Sequence, residues 1–520
     1  MERPKQLRQA LTRVRVPRFA FITAITLGAV LWVLAWAVAS PTGSSPDEPR
    51  HLGHIWWHAP VATASRQLNP ANGMVESLIP EAVMGSACYA FDPSQSGVCT
   101  LTLPADNFWW YPPPGVPVGI PFFYQVLSPF VGNSITPTGV YHSVVAMRVF
   151  NGLLAIALLA GVCYFLPRSG RRLLCYATIA VAAPMGIFLI ASVNPSGWSI
   201  TGLVVAWFGA YAALRGSTTI AQVVPAGLAL IGGVLAATAR TDSAIFLAAL
   251  AVGLVVLHWQ IFRAQRWWLV FPAVLFLLGV IGFLAGGQAG AITEGVIGEQ
   301  NVVGSGRWPT WVLFNNLLQF PEFMLRLPTP PLNWLDTELP QISEITVSIA
   351  WVALVLWGWA TEKPNWQKWV ALAGLLCLIV LLPLYLFQIS GLLVGFEIQQ
   401  RYILPLLPIL LAVALWRPIR DGAPHLSRRF TWLLYLALVV GHAAALHTQI
   451  RRFTRGLDNY LTRFYTGPRL NVGVEWWQVP VSPDATWLLG SLGFALLALS
   501  LFVVREKRNV IIDEKDLVTP

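Results

Sequence analysis

Two adjacent carboxylates, Asp47 and Glu48, open a polar segment that follows directly on the first long apolar run of the chain. Just outside the hydrocarbon the local dielectric is low, so the pKa of a carboxylate there can be tuned for general-base chemistry. Pro49 suits the first turn of a helix. Three histidines then recur at the spacing of one helical face: His51, His54 and His58. The segment predicts a reaction centre at a membrane surface or, alternatively, an ordinary N-cap followed by a solvated histidine face.

The elements that must position this segment are membrane-spanning helices. Hydrophobic residues make up 56% of the 520 residues, charged residues only 11%, and the mean hydropathy is +0.61. This composition excludes a soluble domain, and the polar interruptions suit helices of about 20 residues better than barrel strands. We therefore predict an all-α polytopic membrane protein with about twelve transmembrane helices. The predicted spans are Phe19–Ala39, Val144–Leu166, Leu173–Ser192, Trp198–Leu214, Ile220–Ala237, Ser243–Trp259, Trp267–Leu284, Ile345–Ala360, Trp369–Ile389, Tyr402–Trp416, Phe430–His447 and Thr486–Val504.

The distribution of basic residues predicts the topology. Met1–Arg18 is rich in arginine and precedes the first span, which is typical of an uncleaved signal anchor with a cytoplasmic N-terminus. The net charge of +10 is explained by such cytoplasmic segments, so no nucleic-acid partner is expected. We predict a basic cytoplasmic N-terminus (1–18), one multi-span domain (19–504) and a cytoplasmic tail (505–520). Three long external loops are predicted at 40–142, 285–344 and 448–485.

The first external loop is too long to be a simple connector and must have structure of its own. Cys88 and Cys99 are the only cysteines predicted outside, and an oxidising compartment could bridge them. The apolar run Val116–Phe130 is short and flanked by prolines, which favours an interfacial or re-entrant helix. Cytoplasmic loops are short and contain no nucleotide-binding glycine motif, so the chemistry is predicted to face outward.

Several short motifs together resemble a known family. They are Pro46–His51, Tyr111-Pro-Pro before the second span, Asn194-Pro-Ser-Gly, and Gln400-Arg-Tyr-Ile-Leu-Pro405. With a first span followed at once by an acid-bearing external helix, they resemble GT-C-type membrane glycosyltransferases, and most closely a bacterial subfamily of unknown function with a Pro-Asp-Glu-Pro-x-His signature. The resemblance extends over roughly residues 15 to 505. It implies a GT-C-like helical bundle with external juxtamembrane helices in the first long loop.

The resemblance also implies an activity, which is sugar transfer from a polyprenyl-phosphate-linked donor to a glycan, lipid or protein acceptor on the outer face of the plasma membrane. Asp47 matches the family's catalytic carboxylate, and Glu48 is the adjacent alternative. As a base, this carboxylate would accept the proton of the acceptor hydroxyl group while the lipid phosphate leaves. His51 is a supporting residue: it could orient the acid, pack, or bind a divalent cation such as Mg²⁺ or Mn²⁺ together with Asp47, and the sequence leaves the metal open.

A leaving phosphate needs cationic partners. Arg401 is the first candidate because it lies at the outer interface and arginine can contact two phosphate oxygens. Arg240 is the second, although a local ion pair with Asp242 explains it equally well. Arg148 follows, and then the group Arg451, Arg452 and Arg455, which could instead contact lipid headgroups. The remaining site candidates are Asn194, Asp242, Gln400 and Tyr402.

Two other classes of function compete with the transferase. Twelve spans with both termini inside would also suit a transporter or a lipid-linked sugar flippase. Carriers usually place ionisable groups near mid-membrane, whereas the predicted span interiors contain almost none beyond His442. A non-catalytic membrane assembly protein would need no polar pocket, and Asp47 and Glu48 would then only cap a helix. Neither the sugar nor the acceptor follows from the sequence, because specificity lies in the shape of the pocket.

Overall fold

The computed structural model describes residues 18–61, 66–113, 120–287, 309–360, 365–395, 398–417, 422–423, 426–457 and 480–502. The predictions for the basic N-terminus before Arg18 and for the tail 505–520 lie outside the described residues. So do parts of all three long loops that are predicted to be external. The following paragraphs concern the described residues alone.

Helices dominate the described part of the chain. In chain order they are α1 (Arg18–Val38), α2 (Glu48–His58), α3 (Glu81–Met84), α4 (Phe122–Leu127), α5 (Pro137–Phe165), α6 (Arg168–Val181), α7 (Ile187–Ile190), α8 (Pro195–Arg215), α9 (Thr219–Ala239), α10 (Thr241–Leu257), α11 (Trp259–Ala264), α12 (Val270–Ala285), α13 (Pro309–Leu325), α14 (Gln341–Ala360), α15 (Trp366–Leu376), α16 (Leu382–Ser390), α17 (Gln400–Ile403), α18 (Leu407–Leu415), α19 (Arg428–Arg455) and α20 (Pro483–Ala498). Short 3₁₀ or π segments join or extend several of them. A polytopic α-helical membrane protein is therefore confirmed.

Fewer described helices than predicted are long and apolar enough to be identified as membrane spans. Nine described helices are long and apolar enough to cross a membrane, and a tenth span results if the bent pair Arg168–Ala180 and Pro184–Ile190 counts as one. The apolar helices Thr241–Leu257 and Gln400–Leu415 are shorter, below the roughly 20 residues that a bilayer requires. All twelve predicted segments thus lie on helices, but a count of about twelve spans is not confirmed.

Helix α8 lies at the centre of the bundle, since 94% of the residues in its apolar stretch are buried. Its backbone packs directly against α9, since a Cβ atom on Gly202 would come within 2.6 Å of the Gly232 carbonyl oxygen. Gly28 of α1 and Gly493 of α20 allow a similar close approach. Small residues at such crossings are typical of membrane helices, whose association depends on close packing of backbones.

The loop 40–142, predicted to be external, contains the main departure from an all-α fold. Strands β1 (Arg66–Leu68), β2 (Val75–Pro80) and β3 (Phe108–Tyr111) form an antiparallel sheet in the order β1-β2-β3. Cys88 and Cys99 form the predicted disulfide, with their Cα atoms 6.2 Å apart. In the run Val116–Phe130, the described helix begins only at Phe122, after Pro121, and is followed by a 3₁₀ turn at Ser128–Phe130. The predicted interfacial or re-entrant helix is therefore one short helix and a turn, and residues 116–119 are outside the described part.

Candidate active site at the start of helix α2

The loop before helix α2 is held in place by contacts from several spans. Asn194, the N-cap residue of α8, accepts a hydrogen bond from the Ser196 backbone and donates one from Nδ2 to the Pro46 carbonyl oxygen, at 3.0 Å. Asp47 occupies the N-cap position of α2, but its side chain makes no capping hydrogen bond. Its backbone is left-handed, with φ of 62°. The alternative that the acids only cap a helix finds no support in these contacts.

Glu48 points into the bundle and pairs with Arg148. The carboxylate and the guanidinium are 2.9 Å apart, and both side chains are almost completely buried. Glu48 also accepts hydrogen bonds from the backbone N–H groups of Ser45 and Val193. These contacts use the carboxylate within the protein, so Glu48 is a structural residue and not an accessible alternative base.

Arg148 has the same structural character. Besides Glu48 and the Ser44 hydroxyl, it donates to the carbonyl oxygens of Ala37, Ser40 and Pro41, at 2.8 to 3.2 Å. A helix C-terminus leaves carbonyl groups unsatisfied, and a cation there is favourable. Arg148 therefore secures the end of α1 and the following loop, and we do not retain it as a ligand for a donor phosphate.

Asp47 points the other way and meets Arg401. The Arg401 Nη2 atom lies 3.1 Å from the Asp47 carboxylate, which is 50% exposed, whereas the Arg401 side chain is only 3% exposed. Arg401 also donates to the Tyr402 hydroxyl group, and its Nε atom has no hydrogen-bond partner in the described part of the chain. A buried donor without a partner is costly, so an anionic acceptor that reached this guanidinium would be bound favourably.

Arg240 completes a cluster of charges around Tyr402. Its guanidinium pairs with Asp242 through two nitrogen atoms and lies 4.3 Å from the centre of the Tyr402 ring. The Arg401 guanidinium is 5.1 Å from the same ring. The local ion pair with Asp242 predicted for Arg240 is therefore present, and Arg240 still contributes positive charge at Asp47.

These charges determine the protonation of Asp47. Burial alone would raise the pKa of this carboxyl group, but the positive charges of Arg401 and Arg240 outweigh that effect and place the pKa below its usual value. Asp47 is consequently ionised at neutral pH, as a general base must be before it accepts a proton.

The histidines of α2 line the side of the site next to Asp47. His51 Nδ1 is 3.1 Å from the Tyr124 hydroxyl group, and His54 Nε2 is 3.3 Å from that of Tyr111. Burial lowers the pKa of His51 to about 3 and that of His54 to about 4, with nearby arginines acting in the same direction. Both rings are therefore neutral at physiological pH. Because His51 is neutral, the arginines provide the charge that lowers the pKa of Asp47.

The structure thus brings together Asp47, His51, Arg240, Arg401 and Tyr402 from three distant parts of the chain. Gln400 is the first residue of the short helix that carries Arg401. Sequence reasoning missed Tyr124, whose hydroxyl group contacts His51; nothing distinguishes this tyrosine from its aromatic neighbours in the sequence. Among the described residues, no group of three or more histidine, cysteine or acidic side chains could hold a metal ion.

Arg452, one of the three arginines considered in or beside the loop 448–485, has a structural role in the protein. Arg452 is fully buried, pairs with Asp336, and donates to the carbonyl oxygens of Tyr89, Asp92 and Gln95. It therefore fastens the disulfide-bearing loop to the end of α19, and we do not propose it as a contact for phosphate or headgroups.

Comparison with known proteins gives a family and no further detail. The family model described as "Predicted membrane protein (DUF2142)" matches residues 30–410. That stretch includes Asp47, Arg240 and Arg401. No curated protein and no solved structure matches the chain.

Proposed function

The chain belongs to the DUF2142 family of predicted membrane proteins, and we propose that it is a GT-C-type glycosyltransferase. In this proposal a sugar moves from a polyprenyl-phosphate donor to a glycan, lipid or protein of the cell envelope. Asp47 is the general base, and Arg401 and Arg240 bind the donor phosphate. The site faces the extracytoplasmic side of the plasma membrane, which agrees with the basic N-terminus at the opposite end of the first span.

One observation carries the proposal. A half-exposed carboxylate, Asp47, lies within 3.1 Å of a buried guanidinium, that of Arg401, which has an unused N–H donor. Base and anion site are thus adjacent, at the point where a loop leaves a membrane span. A transferase that uses a lipid phosphate as the leaving group needs a base for the acceptor hydroxyl group and a cation for the departing phosphate close to the same sugar carbon.

The proposed reaction is a single displacement. An acceptor oxygen attacks C1 of the sugar, its proton passes to Asp47, and the bond between C1 and the phosphate oxygen breaks with its electron pair moving to the phosphate. The polyprenyl phosphate leaves as an anion that Arg401 and Arg240 stabilise. Since Glu48 is paired inside the bundle, Asp47 has no accessible second carboxylate beside it on α2, and we expect inversion at C1.

Arg401 links donor binding to the strength of the base. In the free protein its charge lowers the pKa of Asp47. A donor phosphate that engages Arg401 adds a negative charge nearby and weakens this influence, so the pKa of Asp47 is expected to rise toward that of a more effective base. The base would then strengthen only when the donor is present, which limits unproductive protonation of Asp47 in its absence.

A two-stage experiment tests the proposal. Mass spectrometry of lipid extracts from cells with and without the protein should show one polyprenyl-phosphate sugar accumulating in its absence, together with loss of one envelope glycan. The accumulated lipid is then incubated with purified protein and an envelope extract in detergent micelles. A transferase releases polyprenyl phosphate and glycosylates an acceptor. A flippase moves a lipid between leaflets without changing it chemically, so it would release no polyprenyl phosphate in micelles. Absence of this release would exclude the transferase.

A further inference from the structure

Helix α13 exposes an apolar face that the proposed reaction does not use. Phe314, Leu318 and Leu325 are 63%, 65% and 63% exposed, and their spacing places them on one side of the helix. Trp311 and Leu317 extend the same side. A continuous exposed face of this kind on a helix marks a contact with a lipid or another apolar partner.

The opposite face of α13 is packed against the protein. Val312, Asn316, Phe320 and Phe323 are buried there, and the Phe323 ring lies 6.0 Å from that of Phe387 in the span formed by α15 and α16. The helix is thus apolar on both sides, and the side that carries Phe314, Leu318 and Leu325 is exposed.

Several contacts fix the position of α13 relative to the spans. At its middle, Asn316 bonds the backbone at Leu392 and Val394, just beyond the end of α16. Farther along, Phe323 meets Phe387 close to that same end. At the end of α13, the Leu325 carbonyl oxygen accepts a hydrogen bond from Ser348, and Arg326 pairs with Glu344, both in the first half of α14. Since the middle and the end of α13 both contact the same end regions of two spans, α13 lies at these ends and does not cross the bilayer.

We propose that α13 is an interfacial helix whose exposed face rests in the lipid surface on the side of the bundle that carries Asp47. The occupant is the hydrocarbon of the outer lipid layer. The neighbouring span α14 continues the exposed apolar surface through Ile345 and Ile349. No lysine or arginine lies within Pro309–Leu325, so the contact depends on apolar burial and not on anionic headgroups.

The helix also supports the segment that leads to the site. The Asn316 amide donates to the Leu392 carbonyl oxygen and accepts from the Val394 N–H group, both at 2.9 Å. Arg401 follows a few residues later in the chain. The bilayer thereby holds the beginning of the segment that presents this arginine, independently of the reaction that the arginine serves.

Lipid contact can be measured with a spin label at Leu318→Cys, after the free cysteines Cys163, Cys175 and Cys377 are replaced by alanine. Gln319→Cys, exposed on another side of α13, is the matched control. In lipid nanodiscs we compare the ratio of the label's collision rate with oxygen to its collision rate with a water-soluble nickel chelate. This ratio should be at least about twofold higher at position 318 than at position 319, and it should correspond to a shallow depth in the bilayer. Equal ratios at the two positions, a label at mid-bilayer depth, or an immobilised label shielded from both reagents would overturn the proposal.

Support of the loop can be measured by hydrogen exchange. Asn316→Ala should remove protection from the peptide that contains residues 391–395, because the Val394 N–H group loses its acceptor. Asn315→Ala removes only a bond to the Trp311 carbonyl oxygen within the helix, so this control should leave that peptide protected. Unchanged exchange in the Asn316 variant would contradict the role of α13 as a support.

Discussion

Replacement of Asp47 by asparagine separates catalysis from folding at this site. Asparagine has nearly the same shape, and it tolerates the left-handed backbone that position 47 adopts. The Asp47 carboxylate caps no helix end, and it accepts a hydrogen bond from Arg401. Because the carboxylate is half exposed, loss of the ion pair should cost no more than about 1 kcal/mol of stability.

The expected loss of activity is much larger. A general base contributes about a hundred- to ten-thousand-fold to the rate, which corresponds to about 3 to 5 kcal/mol of transition-state stabilisation. The Asp47→Asn protein should therefore insert and unfold like the wild type and yet transfer almost no sugar. Arg401, freed from the carboxylate, should still bind the donor phosphate, so donor affinity should be unchanged or slightly tighter.

The assay compares cells that produce the wild type, Asp47→Asn, or Asp92→Asn. Asp92 is an exposed acid whose carboxylate accepts hydrogen bonds from its near neighbours Ser94 and Gln95, so its variant controls for the loss of an exposed negative charge. Lipid-linked sugar should accumulate in the Asp47 variant to the level seen without the protein, and remain at the wild-type level in the control. Wild-type turnover by purified Asp47→Asn would refute the role of this residue as the base.

Three further predictions concern the surroundings of the base. Arg401→Ala should weaken binding of polyprenyl phosphate by about 10- to 100-fold, and unchanged affinity in a direct binding assay would remove Arg401 from the phosphate site. Glu48→Gln breaks a buried pair and should lower stability by about 3 to 5 kcal/mol, against about 1 kcal/mol or less for Asp242→Asn in a partly exposed pair; equal melting temperatures would contradict this. Between pH 6.5 and about 4, unfolding should take up protons at His51, whose folded pKa is about 3, so stability falls with falling pH. His51→Gln should reduce the difference in melting temperature between pH 7.5 and pH 5.

The helices were predictable because a bilayer imposes a length and an apolar composition that a sequence displays directly. The small sheet of the first loop was not, since its strands are only three to six residues long and short strands carry weak patterns. The count of about twelve spans is not confirmed among the described residues. Hydropathy identifies α10 as apolar, but its 17 residues are at the lower limit of the length that a bilayer requires.

Within the site, sequence reasoning assigned Arg401 and Arg148 to the same role, and the structure separates them. Both arginines are buried, but Arg148 has a partner for each of its nitrogen atoms, whereas Arg401 keeps a free Nε. Only three-dimensional contacts distinguish the two, because the partners of Arg148 are mainly backbone carbonyl oxygens. A sequence does not show which carbonyl groups a helix end leaves unsatisfied in the vicinity of a distant arginine.

The side chains of Asp47 and Glu48 point in opposite directions because of the backbone conformation at Asp47. Left-handed geometry at Asp47 directs its carboxylate outward to Arg401, while that of Glu48 turns inward to Arg148. Aspartate and asparagine tolerate this conformation better than other residues with a side chain, and glycine would adopt it without steric cost. The Asp47 side chain makes no capping bond and half of it is exposed, so helix capping does not explain an aspartate here. The exposure of Asp47 beside Arg401, in contrast to the buried pair of Glu48 with Arg148, is the reason we propose Asp47 and not Glu48 as the base.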